Sequence, residues 1–304
     1  MHKEPIRHHY IPQFILKNFC FEDRKFYYFN KRLQTISVAE TRDTFMVKNL
    51  YRDEINHPAD PVKIEKDLAA YENEISRIIK ERFLQEKDIV LSVEEEAKLR
   101  LFFAIMGFRS YDAQRQFGDK MQMESKGLYR HYQADENFLD LWKRNLGYVV
   151  NCRSIEQVLS HPSIDEPFKI FFHRDTVGYF GRYFAVAEAN ENSAFVIGDV
   201  YPVVVEGTTA WGQKLDMYSI YPISPKRVIF LANNGVSGTP RSVLQLREFI
   251  FNQPKHMTET NSIQIRVKRL SSDEVQYINR TIAQNADQGF GFKEIPRDLM
   301  KTEK

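Results

Sequence analysis

Cysteine is scarce. Cys20 and Cys152 are the two in 304 residues, and neither belongs to a CxxC pair. No zinc cage, redox motif or disulfide framework is therefore available, and a reducing compartment is the simpler setting. Long apolar runs are absent: no stretch approaches the roughly 18 consecutive apolar residues of a membrane-spanning helix. The opening Met1-His2-Lys3-Glu4-Pro5 lacks the apolar segment of a secretion signal. A cytoplasmic location without membrane contact is expected by exclusion. An excess of one charge is missing as well. The formal net charge of +2 is too balanced for a nucleic-acid coat protein or a polybasic membrane binder. The absence of GxSxG, Walker A, GxGxxG and HExxH patterns argues against serine hydrolases, P-loop NTPases, dinucleotide enzymes and zincins. No internal repeat, low-complexity tract or Pro/Gly/Ser-rich linker divides the chain.

Aromatics are plentiful, with 23 Phe and 15 Tyr, so a sizeable core can form. Phe14, Ile15, Leu16 and Phe19 have the spacing of a short helix, and Pro12 suits its start. Lys25–Lys31 and Leu33–Val38 read as a hairpin whose turn lacks glycine. Ile64, Leu68, Tyr71, Ile75, Ile78, Ile79 and Phe83 form one stripe and predict a helix over Val62–Lys87. Ser92-Val93-Glu94-Glu95 is a capping box that opens a second long helix. A further helix is predicted over Glu136–Leu146. The third quarter is β-rich, with runs at Phe168–Phe172, Tyr183–Ala187, Ala194–Ile197, Tyr201–Val205, Met217–Ile223 and Val228–Ala232. Helical pattern returns at Ser242–Phe251 and Ser272–Asn285, with Ser272 as the expected N-cap.

This segregation predicts an α+β fold, with a helical portion over 60–150 packed on a mainly antiparallel sheet over 165–270. The expected organisation is a single composite domain over 1–292. An N-terminal motif and hairpin occupy 1–60, a C-terminal helix 272–287, and a polar tail 293–304.

Three polar features stand out. His8 and His9 precede Pro12, and a neutral imidazole can ligate a metal or act as a base. Adjacent side chains in an extended chain face opposite ways, so one of the pair would act and the other would be structural. The alternative is a hydrogen-bonded pair that orders the N-terminus. Asp199 interrupts the apolar run Phe195–Val205. A carboxylate there needs a partner, either a metal or cation, or backbone amides that close a turn. Arg109 lies near the buried face at the end of the second long helix, fit for a phosphate or an internal ion pair with Asp199 or Glu65. Glu65 and Glu72 are seven residues apart and share one helix face. Such acids can hold a metal or simply be solvated.

These residues carry a resemblance. The sequence resembles domain-of-unknown-function family 4238, whose members open with His-His-Tyr-x-Pro-x-Phe-x-Leu-x-x-Phe. Here that pattern is matched by His8, His9, Tyr10, Pro12, Phe14, Leu16 and Phe19. A hairpin and Tyr51 follow, then a helix with Glu65 and Glu72, and a second helix ending near Arg109. Gly198-Asp199-Val200-Tyr201-Pro202 is similar to a Ser-Asp-x-Pro element, with Gly for Ser and one extra residue before Pro. Pro222-Ile223-Ser224-Pro225 matches a Pro-x-Ser-Pro element, and Asn279, Asn285 and Asp287 match an Asn-rich final helix. The resemblance runs from about His8 to Phe292. It implies one architecture with the first and last elements brought together, and names no reaction.

Two functions are expected to compete. The first is a metal-dependent hydrolase, a nuclease serving as a bacterial toxin or antiviral effector. A divalent metal ion would be its cofactor and a nucleic acid its substrate. His8 or His9 would be base or ligand, Asp199 and Glu65 ligands, and Arg109 a phosphate contact. The second is a non-enzymatic binding or regulatory protein, in which the same residues form a buried network. A protein partner or a second copy of the chain stays open in either case.

Overall fold

The structure is a computed structural model. It describes residues 5–85, 88–119, 137–169, 172, 184–208, 214–232, 250, 256–257 and 262–296. The fold is α+β with mainly antiparallel sheets. Its strands are β1 (Arg7–His9), β2 (Lys25–Asn30), β3 (Thr35–Glu40), β4 (Met46–Lys48), β5 (Asp88–Ser92), β6 (Phe184–Ala189), β7 (Ile197–Gly198), β8 (Val203–Thr208), β9 (Lys214–Ser224), β10 (Arg227–Ala232), β11 (His256–Met257), β12 (Ser262–Leu270) and β13 (Gly289–Phe292). The helices named below are α1 (Gln13–Asn18), α2 (Lys63–Ile78), α3 (Val93–Phe108), α4 (Tyr111–Gly118), α5 (Phe138–Val149), α6 (Ile155–Ser160) and α7 (Ser272–Asn285).

The largest sheet runs β11-β12-β6-β10-β9-β8, with β5 also on β12. Of its pairings, β12 with β6 is parallel. This sheet divides two hydrophobic clusters through the period-two alternation of its strands. Val228, Phe230 and Ala232 of β10 face one side, with α7 and Phe290. Ile229 and Leu231 face the other, with α2, α3 and α5. The helical portion is joined to that second face at Phe103 and Tyr221, whose ring centroids are 4.5 Å apart.

The capping box at Ser92 is present, its hydroxyl accepting from the Glu95 amide while the Glu95 carboxylate accepts from the Ser92 amide. At α7 the same device forms on Ser271, one residue before the expected Ser272. α2 is shorter than its stripe predicts. It passes into a π-helical turn over Ile79–Phe83, and the chain then enters β5, whose Ile89 and Leu91 alternate inward and pair with β12. The strand expected at Phe168–Phe172 is corrected: 166–169 is helical, and Phe168 is buried against Phe117. The helix expected over Ser242–Phe251 lies, apart from Ile250, outside the described residues.

The N-terminal hairpin meets the last strand. A four-stranded sheet runs β3-β2-β13-β7. The β2–β3 turn dispenses with glycine because Gln34 takes the left-handed conformation, at φ 53°. In β13 a glycine is required instead. A Cβ on Gly289 would lie 2.1 Å from the Phe29 carbonyl oxygen. Lys31, at the end of β2, donates to carbonyls at the C-terminal end of α7, including that of Ala286. A cation there also complements the helix dipole.

Candidate functional site

The N-terminal motif is interior. His8 and His9 are buried, as are Ile11, Ile15, Leu16 and Phe19. β1 pairs with β4 and sends the two imidazoles to opposite sides. His8 Nε2 donates to the Pro5 carbonyl at 3.2 Å, and its Nδ1 accepts the Tyr51 amide at 2.8 Å. Its ring stacks on Tyr51. His9 Nε2 donates to the Thr41 carbonyl at 2.9 Å, and its Nδ1 accepts from the Gln13 side-chain amide at 3.2 Å. Both partner sets call for the neutral tautomer with the proton on Nε2. Burial agrees, holding both imidazoles below the ordinary histidine pKa.

Arg109 caps the C-terminal end of α3 and is 1% exposed. Its guanidinium donates to Glu72, to the His9 carbonyl, and through Nε to the Tyr51 hydroxyl at 3.2 Å. The Tyr51 hydroxyl in turn donates to the Arg109 carbonyl at 2.8 Å. Burial opposes the Arg109 charge, yet Tyr51, Glu72 and Glu65 together raise its pKa. Glu65, one helical face along from Glu72, is the exception in this network. Its buried Oε2 has no hydrogen-bond partner. Burial pushes its carboxyl up to about 7 against the pull of Arg109, with Glu72 adding to the rise.

Asp199 stands elsewhere. Its two oxygens accept the amides of Asp287 and Gln288 at 2.9 and 2.6 Å, and its own amide donates to the Gly289 carbonyl. It thereby joins the end of β7 to the loop after α7. Burial raises its pKa against those amide bonds. It also lines a cleft of about 310 Å³, together with Tyr10, Gly107, Tyr111, Tyr201 and Asp287. The structure thus gathers His8, His9, Arg109, Glu65 and Glu72 into one buried network. Asp199 shares its cleft with Tyr10, and neither histidine, Arg109 nor Glu65 is among the residues lining it. Of the ion-pair partners expected for Arg109, Asp199 or Glu65, neither is the one that bonds it; Glu72 is.

Among the described residues, no group of three or more His, Cys, Asp and Glu is placed to hold a metal ion. No described helix is long and apolar enough to cross a membrane. Several cleft residues have no site role expected from the sequence. Tyr111, Asp112 and Arg115 sit on α4, and Asp287 follows α7. Arg115 joins the two by bonding Asp112 and Asp287, each at 2.9 Å. Folding alone makes them neighbours. No curated protein and no solved structure matches the chain. The model of a family of proteins of unknown function, DUF4238, matches residues 7–292, and the chain belongs to that family.

Proposed function

We propose that the chain works by binding, with the His8–His9–Arg109 network as its internal frame and the Tyr10–Asp199 cleft as its ligand site. One observation carries this reading. Each neutral imidazole has a single acceptor nitrogen, and both are already occupied, by the Tyr51 amide and the Gln13 side chain. A histidine in that state offers no lone pair to a metal or to a water proton. The cleft is in the size range of small-molecule sites and mixes aromatic walls with a few polar groups. Free Cys20 and Cys152 fit a reducing, cytoplasmic setting for such a protein.

The competing reading is the metal-dependent nuclease, a toxin or antiviral effector with a nucleic-acid substrate. A specific observation favours it: the unpartnered carboxylate oxygen of Glu65, on the same helix face as Glu72. Magnesium is often held by one or two carboxylates plus substrate phosphates, so Glu65 and Glu72 would suffice as the protein's share. The two readings separate in one experiment. The purified chain is analysed for bound metal and incubated with DNA and RNA in magnesium, manganese or zinc. Binding without chemistry expects no stoichiometric metal and no cleavage. Cleavage that Glu65→Gln abolishes without lowering the melting temperature would establish the nuclease instead.

A further inference from the structure

The cleft has a charge and a chemistry of its own. Among the described residues, its lining holds three carboxylates, Asp112, Asp199 and Asp287, against the single guanidinium of Arg115, and no lysine or histidine. Three tyrosines, Tyr10, Tyr111 and Tyr201, supply aromatic faces. We infer that this cleft takes a small organic cation, a guanidinium or ammonium group on a short carbon chain. The inference rests on the binding reading above and names the ligand class of that same site.

The chain itself demonstrates the recognition at the rim. The Arg115 guanidinium lies over the Tyr111 ring, 5.4 Å from its centroid, and bridges Asp112 and Asp287. Stacking on a tyrosine face and pairing with carboxylates is how proteins hold planar cations. Asp112 and Asp287 are about half-exposed, so that internal cation occupies the outer part of the site. Farther in, Asp199 is held, among the described residues, by backbone amides: those of Asp287 and Gln288 on its two oxygens, with the Gly289 amide acting on it as well. The carboxylate keeps a lone pair for a ligand N–H.

Two further observations point to an occupant. The Tyr10 side chain is only 7% exposed, and its hydroxyl, which has no hydrogen-bond partner among the described residues, opens on the cleft that Tyr10 lines. Asp199 and Asp287 line the same cleft as Tyr10. That hydroxyl can donate to or accept from a ligand in the cleft. A cation seated against Asp199 and flanked by Tyr10 would meet both groups. Gly107 is the second. It lies within α3, where glycine is the poorest helix former after proline, and a Cβ built on it meets nothing within 4 Å. No packing demand excludes a side chain at that position. Its absence leaves the wall of the cleft open.

The test uses the full chain and three probes: n-butylguanidinium, its neutral isostere n-butylurea, and the anion hexanoate. Calorimetric titration should show n-butylguanidinium binding at least about tenfold more tightly than n-butylurea, and no binding of hexanoate. Gly107→Leu should abolish binding with an unchanged or raised melting temperature, because its Cβ meets nothing within 4 Å and leucine is the better helix former. Asp199→Asn should weaken binding about tenfold. Binding of n-butylurea or hexanoate as tight as that of the cation, still blocked by Gly107→Leu, would overturn the cation and leave the cleft as a binding site. So would an Asp199→Asn variant that binds the cation as well as the parent does. No saturable binding of any probe, or binding indifferent to Gly107→Leu, would overturn the cleft itself.

Discussion

Glu65 offers a sharp thermodynamic test of the buried network. Its carboxyl titrates at about 7 in the folded chain against an ordinary value of 4.5, chiefly because burial penalises the charged form. A folded pKa above the unfolded one means that the native state holds its proton more tightly. Below pH 4.5 both states are protonated and the group costs nothing. As pH rises from 4.5 towards 7 the penalty accumulates, and above 7 it is complete. The rise from 4.5 to about 7 amounts to on the order of 3 kcal/mol of stability lost across that window. Glu65→Gln keeps the shape and removes the titration. Urea unfolding of parent and variant, measured from pH 4.5 to 8.5, should give a stability difference that moves in favour of the variant by up to ~3 kcal/mol as pH rises. Any fixed offset from placing an amide beside Arg109 drops out, because the slope is the readout. His8 and His9 act in the opposite sense. Burial depresses their pKa values, so their contribution is lost as pH falls through 6.5, equally in both proteins. A difference that stays flat with pH would refute the burial of Glu65 as an unpartnered acid.

Three other outcomes follow from the same contacts. Arg109→Met should cost about 3–5 kcal/mol in urea unfolding, since it strands Glu72 and the His9 carbonyl; a loss below about 1 kcal/mol would show that the guanidinium holds nothing together. His9→Ala and Asp199→Ala should destabilise additively to within about 0.5 kcal/mol, because they share no hydrogen-bond partner, and a coupling well above that would restore them to one functional unit. Deleting residues 1–19 should leave a chain that does not melt cooperatively by circular dichroism, because Ile11, Ile15, Leu16 and Phe19 are each at most 1% exposed and Arg109 loses an acceptor; an unchanged melting temperature would make the segment an appendage.

Local chemistry in the sequence decided the long helices α2, α3, α5 and α7 and the class of fold, but not α4, α6 or the helical 166–169. The stripe from Ile64 to Phe83 places α2 because every third or fourth side chain is apolar, and the Ser92 box places the start of α3 because Glu95 lies three residues on. The β-branched and aromatic runs at 217–223 and 228–232 mark β9 and β10 for the same local reason. β5 and β13 were not legible. β5 follows directly on a helical stripe and is a strand only because β12 lies beside it. β13 reads Gly-Phe-Gly-Phe, a poor strand by propensity, and its glycines make sense only where the Phe29 carbonyl presses on Gly289.

The polar residues divide in the same way. Sequence identified the reactive types: Asp199 because a carboxylate is rare in an apolar run, Arg109 because it ends an apolar helix, Glu65 because it shares a helix face with Glu72, and His8 and His9 because adjacent imidazoles precede Pro12. Their roles depend on what faces them. The Tyr51 amide and the Pro5 and Thr41 carbonyls decide that the imidazoles are neutral and occupied. The Asp287 and Gln288 amides, 88 and 89 residues beyond Asp199, decide that its charge is held by backbone. Hydrogen bonding and desolvation act over a few ångströms in space, whatever the separation along the chain, so only the tertiary structure could decide which of these groups remain free to act.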